Sequence, residues 1–340
     1  MAQWTRRQVI GTTTGVAVAS LATYVWNLHQ HLPARDRDAE EKFLRAQDLL
    51  LAGNGNSVHS RFVQIAEPRL RVQVLEGGQG EPVLLLHGGD GVAAQWEPLL
   101  SRLSSQFHIY APDRPGCGLT DMFNYRDVHL REHAVSFVRT TMDALGLKSA
   151  NLVGNSMGGY FALVFALAHP ERVKRLVTVG EPAGSSATIP PANRVLAMRG
   201  LNGLMFATLM KPGASATYEG FKRILVAHPD RLSHAYLDCC TAASEIPGAT
   251  ESWLTLLEDC HITSGRSTLT YSLRPELPKL PMPTLLIWGD KDSFGPPSLA
   301  EEMAQSMPHG RSEVVPDAGH LAWLDQPDRV AGLIANFLRS

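Results

Sequence analysis

The pentapeptide Gly154-Asn155-Ser156-Met157-Gly158 constrains what this chain can fold into more than any other stretch of it. It lies between an apolar, strand-like run, Ala150 to Val153, and a helix-like run, Gly159 to His169. A G-x-S-x-G turn between strand and helix lifts a serine hydroxyl clear of the backbone at the top of a sheet. The serine must then hold a strained backbone conformation, and side chains two residues to either side would collide across the turn, so both flanks are glycine. With 29 glycines in 340 residues, chance alone supplies about 0.1 such patterns per chain of this length. What surrounds the pattern therefore decides its meaning.

A serine is a poor nucleophile until a base takes its proton, and the base needs an acid to orient it. Downstream, Thr284 to Trp288 reads as a buried strand that breaks at Gly289 into a loop carrying Asp290 and Asp292. Val314 and Val315 read as a short strand followed by Pro316-Asp317-Ala318-Gly319-His320. Both loops sit just past the C-terminal ends of predicted strands, the edge where parallel α/β sheets bind ligands. Upstream, His87-Gly88-Gly89 follows the strand Val83 to Leu86, and Asp113-Arg114-Pro115-Gly116-Cys117-Gly118 follows the strand Phe107 to Tyr110.

On these five ordered landmarks, the chain from about Arg61 to its C-terminus resembles the α/β-hydrolase superfamily, whose triads run Ser, then Asp or Glu, then His. The resemblance implies Ser156 as nucleophile, His320 as general base and then general acid, and Asp292 as the orienting carboxylate. It also implies an oxyanion hole from the backbone N–H groups of Gly89 and Met157, donors typically worth ~3–4 kcal/mol each. Asp290 and Glu181, the latter after the strand Val173 to Val179, are rival acids. His87 is expected to fix its own loop, Asp113 and Arg114 to hold the strand-end turn, and Asp317 to stabilise the approach to His320. The scattered His169, His228, His234 and His261 show no ligand spacing, so neither a metal nor a cofactor is expected.

Short apolar strands alternating with helices predict an α/β fold with a mostly parallel, eight-stranded sheet covered by helices on both faces. Arg61–Ala66 and Arg69–Glu76 read as a hairpin turning at Pro68. Helices are expected at 95–103, 130–145, 159–169, 297–307 and 328–339. The core divides into residues 61–182 and 278–340. Between them, residues 183–277 lack an apolar strand run and carry four helix-like segments, 191–210, 215–227, 230–243 and 251–262. This is where the superfamily commonly inserts a helical cap. Some of the cap's apolar side chains, Phe206 and Trp253 among them, are expected to line a hydrophobic pocket above Ser156, with Trp323 joining them from the core.

The N-terminus carries a separate message. Arg6 and Arg7 precede a mildly apolar run ending near Ala17-Val18-Ala19, which resembles a twin-arginine export signal. Apolar character continues to Leu28, and Val9 to Leu28 is long enough to cross a bilayer as an uncleaved anchor. Residues 1–35 thus read as an export signal or membrane anchor and 36–60 as a helical lead-in. The expectation is a protein of the periplasm or cell envelope, or a secreted one, with a cytoplasmic enzyme as the alternative. In an oxidising compartment Cys260 could pair with Cys239 or Cys240 across two cap helices. A net charge of −2 gives no footprint for nucleic acid, and a small-molecule substrate is the expected partner.

Three activities are compatible with these residues. The first is hydrolysis of a small or medium hydrophobic ester through an acyl-enzyme, and cofactor-free perhydrolysis or acyl transfer would use the same serine. The second is cleavage of a carbon–carbon bond in a diketone-like ring-fission product, suggested by the D-R-P-G turn and Trp323. Members of that branch usually carry a longer glycine–proline loop than Gly88-Gly89-Asp90-Gly91. The third is a non-catalytic binding protein on a hydrolase scaffold. Serine at the elbow disfavours the aspartyl-ester chemistry of dehalogenases and epoxide hydrolases.

Overall fold

A computed structural model describes residues 32–53, 58–186, 188–189, 191–266, 268 and 271–340. Residues 1–31 of the proposed export signal or anchor, the run 9–28 included, lie outside the described residues. Eight strands form one sheet: β1 (His59–Ala66), β2 (Arg69–Gly77), β3 (Pro82–Leu86), β4 (His108–Pro112), β5 (Ala150–Asn155), β6 (Val173–Val179), β7 (Thr284–Gly289) and β8 (Gly310–Val315). Their spatial order is β1-β2-β4-β3-β5-β6-β7-β8. β2 runs antiparallel to both β1 and β4, and every other pair is parallel.

The pleat sorts side chains into two layers. On β3, Leu84 and Leu86 join one apolar cluster, while Val83 and Leu85 join the other. Helices Leu130–Ala144, Ser156–Ala168 and Pro297–Ser306 cover the first face, and Glu97–Ser104 and Pro327–Arg339 the second. Strands covered on both faces are buried throughout, which is why β5 and β7 read as unbroken apolar runs. The edge strand β8 alternates exposed Arg311 and Glu313 with more buried neighbours, so an apolar run reveals only its end at Val314 and Val315.

The parallel register aligns the strand ends that matter. Leu86 pairs with Gly154, Val179 with Ile287, and Gly289 with Val315. The loops that follow therefore leave one edge of the sheet together. Over that edge lie short helices at Pro191–Leu196, Leu201–Thr208 and Ala214–Gly220, a π turn at Phe221–Leu225, and longer helices at His234–Ser244 and Ala249–Asp259. The helix expected over 191–210 is instead two, because Gly200 takes φ 85° and breaks the ladder between them. A further helix, Arg37–Ala52, packs along His234–Ser244 and is capped by the Asp36 carboxylate. The four cysteines are buried free thiols. Cys260 packs in one apolar layer and Cys239 and Cys240 in the other, so the pairing considered from sequence does not form.

Candidate active site

The elbow shows the geometry that its glycines require. Ser156 has φ 50°, a left-handed conformation that a non-glycine residue rarely adopts. A Cβ at Gly154 would lie 2.6 Å from the Gly158 carbonyl oxygen, and one at Gly158 would strike the carbonyls of Leu86 and His87. Helix and strand can approach this closely only without side chains, and the approach brings the end of β3 to the serine. A Cβ on Gly88 would sit 3.1 Å from Ser156 Cβ. Met157 is the second residue of the helix Ser156–Ala168. Its N–H belongs to the first turn, where no carbonyl four residues back is available and the helix dipole is positive.

The loop from His87 to Gly89 is fixed from behind by Arg114. This fully buried guanidinium donates from Nε to the His87 carbonyl at 3.0 Å and from Nη2 to the Gly88 carbonyl at 2.8 Å and to that of Gly89. The Arg114 N–H donates to His87 Nε2 at 2.8 Å, so the ring carries its proton on Nδ1, which donates to the Gly88 carbonyl at 2.9 Å. Burial, then the charge of Arg114, hold His87 well below the ordinary imidazole range, which keeps this neutral tautomer. With their carbonyls taken by Arg114, Gly88 and Gly89 are held in one orientation. Asp113 ties the turn itself, accepting from Ala93 N at 2.7 Å and Leu119 N at 3.1 Å.

On the other side, His320 Nδ1 lies 2.9 and 3.0 Å from the two oxygens of Asp292. Asp292 also accepts from Glu181 N at 3.0 Å and Phe294 N at 2.9 Å, which fixes its plane. A carboxylate can only accept, so Nδ1 of His320 carries the proton and Nε2 presents a lone pair. That Nε2 is buried and has no hydrogen-bond partner among the described residues. The ring is 2% exposed and packs on Phe294, with centroids 4.3 Å apart. Gly180, at the end of β6, joins the two halves of the site. A Cβ there would lie 3.0 Å from His320 Nδ1 and 3.1 Å from Asn155 Nδ2, beside the serine.

The rival acids have other partners. Asp290 accepts from Ala318 N at 3.1 Å and staples the His320 loop. Glu181 is bonded by the Ser185 hydroxyl at 3.0 Å, and burial, then the charge of Asp292, push its carboxyl up to about 7. Asp317 pairs with Lys291 and, at 2.6 Å, with His228.

Of the three expected pocket residues, Trp253 lies over the site: a Cβ on Gly89 would be 3.2 Å from its Cη2. Phe206 is half-buried on the cap helix Leu201–Thr208. Trp323 must be corrected. It is 1% exposed, stacks on Trp96 at 4.3 Å and donates to the Gln95 carbonyl at 2.9 Å, so it is part of the core. Sequence reasoning missed the supports: Arg114 as the brace of the 87–89 loop, Phe294 against His320, and Asn155, whose Nδ2 donates to the Val179 carbonyl at 2.6 Å. It also missed Asp325, which accepts from Gly319 N at 2.8 Å and from the N–H groups of Ala227 and His228 in the cap. Only Phe294 had a local signal, an aromatic two residues beyond the acid.

A family model described as "Alpha/beta hydrolase family" matches residues 83–333. The chain belongs to the alpha/beta hydrolase family. Among similar members of the alpha/beta hydrolases is the 2-hydroxymuconate semialdehyde hydrolase of Pseudomonas putida, 31% identical over 277 residues, or 79% of this chain and 90% of that one. The crystal structure of the meta-cleavage product hydrolase CumD of Pseudomonas fluorescens IP01 superposes with a TM-score of 0.68 at 25% identity, covering 82% of this chain and 97% of CumD. The carboxylesterase CesB of Bacillus subtilis gives a TM-score of 0.72 at 24% identity over 88% of this chain and 98% of its own, a likeness of fold alone among alpha/beta hydrolases.

Proposed function

We propose that this alpha/beta hydrolase cleaves a carbon–carbon bond in a diketone-like ring-fission product, with Ser156, His320 and Asp292 as its catalytic triad. The observation that carries the reading is the similarity to 2-hydroxymuconate semialdehyde hydrolase across nine-tenths of that enzyme. The site supplies what the chemistry needs. Ser156 Oγ attacks the ketone carbon and its proton passes to His320 Nε2. The carbonyl π pair moves onto oxygen, stabilised by the N–H groups of Gly89 and Met157. When the carbonyl re-forms, the bond to the neighbouring carbon breaks. Its electron pair enters the conjugated carbonyl system as an enolate, which takes the proton from His320. Water then loses a proton to His320 and attacks the acyl group on Ser156, releasing a carboxylic acid and restoring the hydroxyl.

The same groups hydrolyse an ester if the leaving atom is oxygen, and one observation favours that second reading. The loop Gly88-Gly89-Asp90-Gly91 lacks the glycine–proline extension expected of the carbon–carbon branch. A vinylogous diketone assayed beside a chain-length series of p-nitrophenyl esters separates the two, with a higher kcat/KM expected on the diketone. A strong preference for any ester would reverse the assignment. Ser156→Ala is expected to abolish both turnovers while the protein stays folded by circular dichroism, and retained turnover would remove the mechanism altogether.

A further inference from the structure

The cap carries an apolar surface that the site does not use. Six of the nine large apolar side chains exposed among the described residues fall between Met198 and Ile224. Leu201, Met205 and Leu209 are spaced four residues apart along the helix Leu201–Thr208 and its C-cap, one face of that helix, and Met198 lies just before the break at Gly200. Of these, Met198, Leu201 and Leu209 are exposed, Leu209 to 80%. The helix Leu201–Thr208 is apolar nearly all round, a composition suited to burial on every side. The same stretch is cationic. Residues 198–224 carry Arg199, Lys211, Lys222 and Arg223 and one acid, Glu219, which pairs with Arg223 at 2.7 Å and Lys222 at 3.9 Å, so the stretch sums to +3 in a chain whose total is −2.

The point at which the described chain begins says what meets this face. Arg35 pairs with Asp121 at 2.8 Å. The 121–123 loop is in turn bound to the cap, through the Phe123 N–H on Ser252 Oγ at 3.2 Å and the close approach of Gly248 to Met122. The helix Arg37–Ala52 then runs along cap helix His234–Ser244, joined to it through Lys42 and Glu245 at 2.5 Å. Arg35 and the helix after it therefore lie on the cap side of the fold. Only seven residue steps lead from Leu28, the end of the apolar run 9–28, to Arg35. They span at most about 25 Å. A bilayer holding residues 9–28 is thereby kept within reach of the cap and away from the opposite edge of the sheet.

We propose that the cap face built on Met198, Leu201, Leu209 and Met210 docks into the surface of an anionic bilayer. The neighbouring Lys211, Lys222 and Arg223 meet the headgroups, and the active-site side of the enzyme is turned toward the membrane. This holds whichever carbonyl substrate Ser156 takes, because it rests on the cap surface and not on the reaction. An amphipathic face docked in this way sits about 5–10 Å into the headgroup region, and each cation near an anionic leaflet adds attraction that salt screens.

The test is a depth measurement on the full chain, spin-labelled at Leu209→Cys or, on the opposite edge of the sheet, at Arg311→Cys; the four native thiols are buried. In vesicles of phosphatidylcholine with phosphatidylglycerol, the label at 209 is expected to lose several-fold of its collisions with a water-soluble nickel chelate and to gain collisions with oxygen. The label at 311 is expected to change in neither. A label at 209 that stays as open to nickel as that at 311 in vesicle-bound protein would overturn the proposal, leaving residues 9–28 as the sole contact. So would failure to bind vesicles, or equal shielding at 209 before vesicles are added, which would mean that residues 1–31 or a second copy cover the face. Shielding unchanged in pure phosphatidylcholine would overturn the role of the cations. Hydrolysis of soluble p-nitrophenyl acetate by Leu209→Cys should match the unsubstituted chain.

Discussion

Replacing Asp292 with asparagine tests the assignment of the acid with little change of shape. The carboxylate accepts from His320 Nδ1 through both oxygens and from the N–H groups of Glu181 and Phe294. Asparagine has one accepting oxygen and an NH2 group in place of the other, so it cannot serve all these donors. If the oxygen serves the backbone, the NH2 faces His320 and donates to Nδ1. The imidazole proton then moves to Nε2, which points a hydrogen at the serine where a lone pair is needed. Loss of the correct tautomer in a serine triad lowers kcat by roughly 10^3–10^4, or about 4–5 kcal/mol of barrier. One backbone N–H left without its acceptor costs about 1–3 kcal/mol of stability. The assay is steady-state kcat on a p-nitrophenyl ester for Asp292→Asn, Asp290→Asn and Glu181→Gln, with thermal melts of each. The expected result is a collapse for Asp292→Asn and kcat within an order of magnitude of the parent for the other two. A near-normal kcat for Asp292→Asn, or an equal collapse for Glu181→Gln, would refute the reasoning.

Other outcomes follow from the same geometry. Glu181 ionises at about 7 in the folded chain against an ordinary 4.5. Between those values the folded state holds a proton that the unfolded state has lost, so stability falls as pH rises through the window, by roughly 3 kcal/mol in all. Glu181→Gln removes that dependence, and its melting temperature should exceed the parent's by more at pH 8 than at pH 5; a constant difference would show that burial does not hold the proton there. Gly332 lies in the helix Pro327–Arg339 with open space where a Cβ would sit, so Gly332→Ala should add about 0.4–1 kcal/mol in urea unfolding. Gly158→Ala would drive a methyl into the carbonyls of Leu86, the last residue of β3, and His87, and soluble, active protein would contradict the elbow's packing. Ellman's reagent should find almost no thiol in the native chain and four after unfolding.

The sheet and its connections were readable because strands buried on both faces leave unbroken apolar runs, as at Leu285 to Trp288. The elbow was readable because its glycines answer a local steric demand. Asp292 and His320 could be singled out as candidates because each follows a strand end within a few residues. What stayed hidden depends on contacts distant in the chain. Trp323 looks like a pocket aromatic until its partner Trp96, more than 200 residues earlier, is known to stack on it. Arg114 reads as part of its own turn, yet its guanidinium reaches carbonyls some 25 residues upstream. Whether Cys260 meets Cys239 or Cys240 could not be read, because sequence spacing does not say which layer a helix face will enter. Gly200 could have signalled the break in the first cap helix, since a glycine inside a helical pattern can also end it.

Asp325 ties one segment of the cap directly to the core. Its carboxylate holds the N–H groups of Ala227 and His228 as well as that of Gly319. Leu321 N donates to the Leu225 carbonyl at 2.8 Å, and the Ser293 hydroxyl to that of Ile224 at 2.8 Å. The segment 224–228 is thus tied by hydrogen bonds to the loops that carry Asp292 and His320. The helices at 191–208 are tied instead to Ala249–Asp259, where Asn202 Nδ2 donates to Glu258 Oε1 at 2.9 Å. Substitution in the 191–208 half is therefore expected to leave the spacing between His320 and Asp292 unchanged.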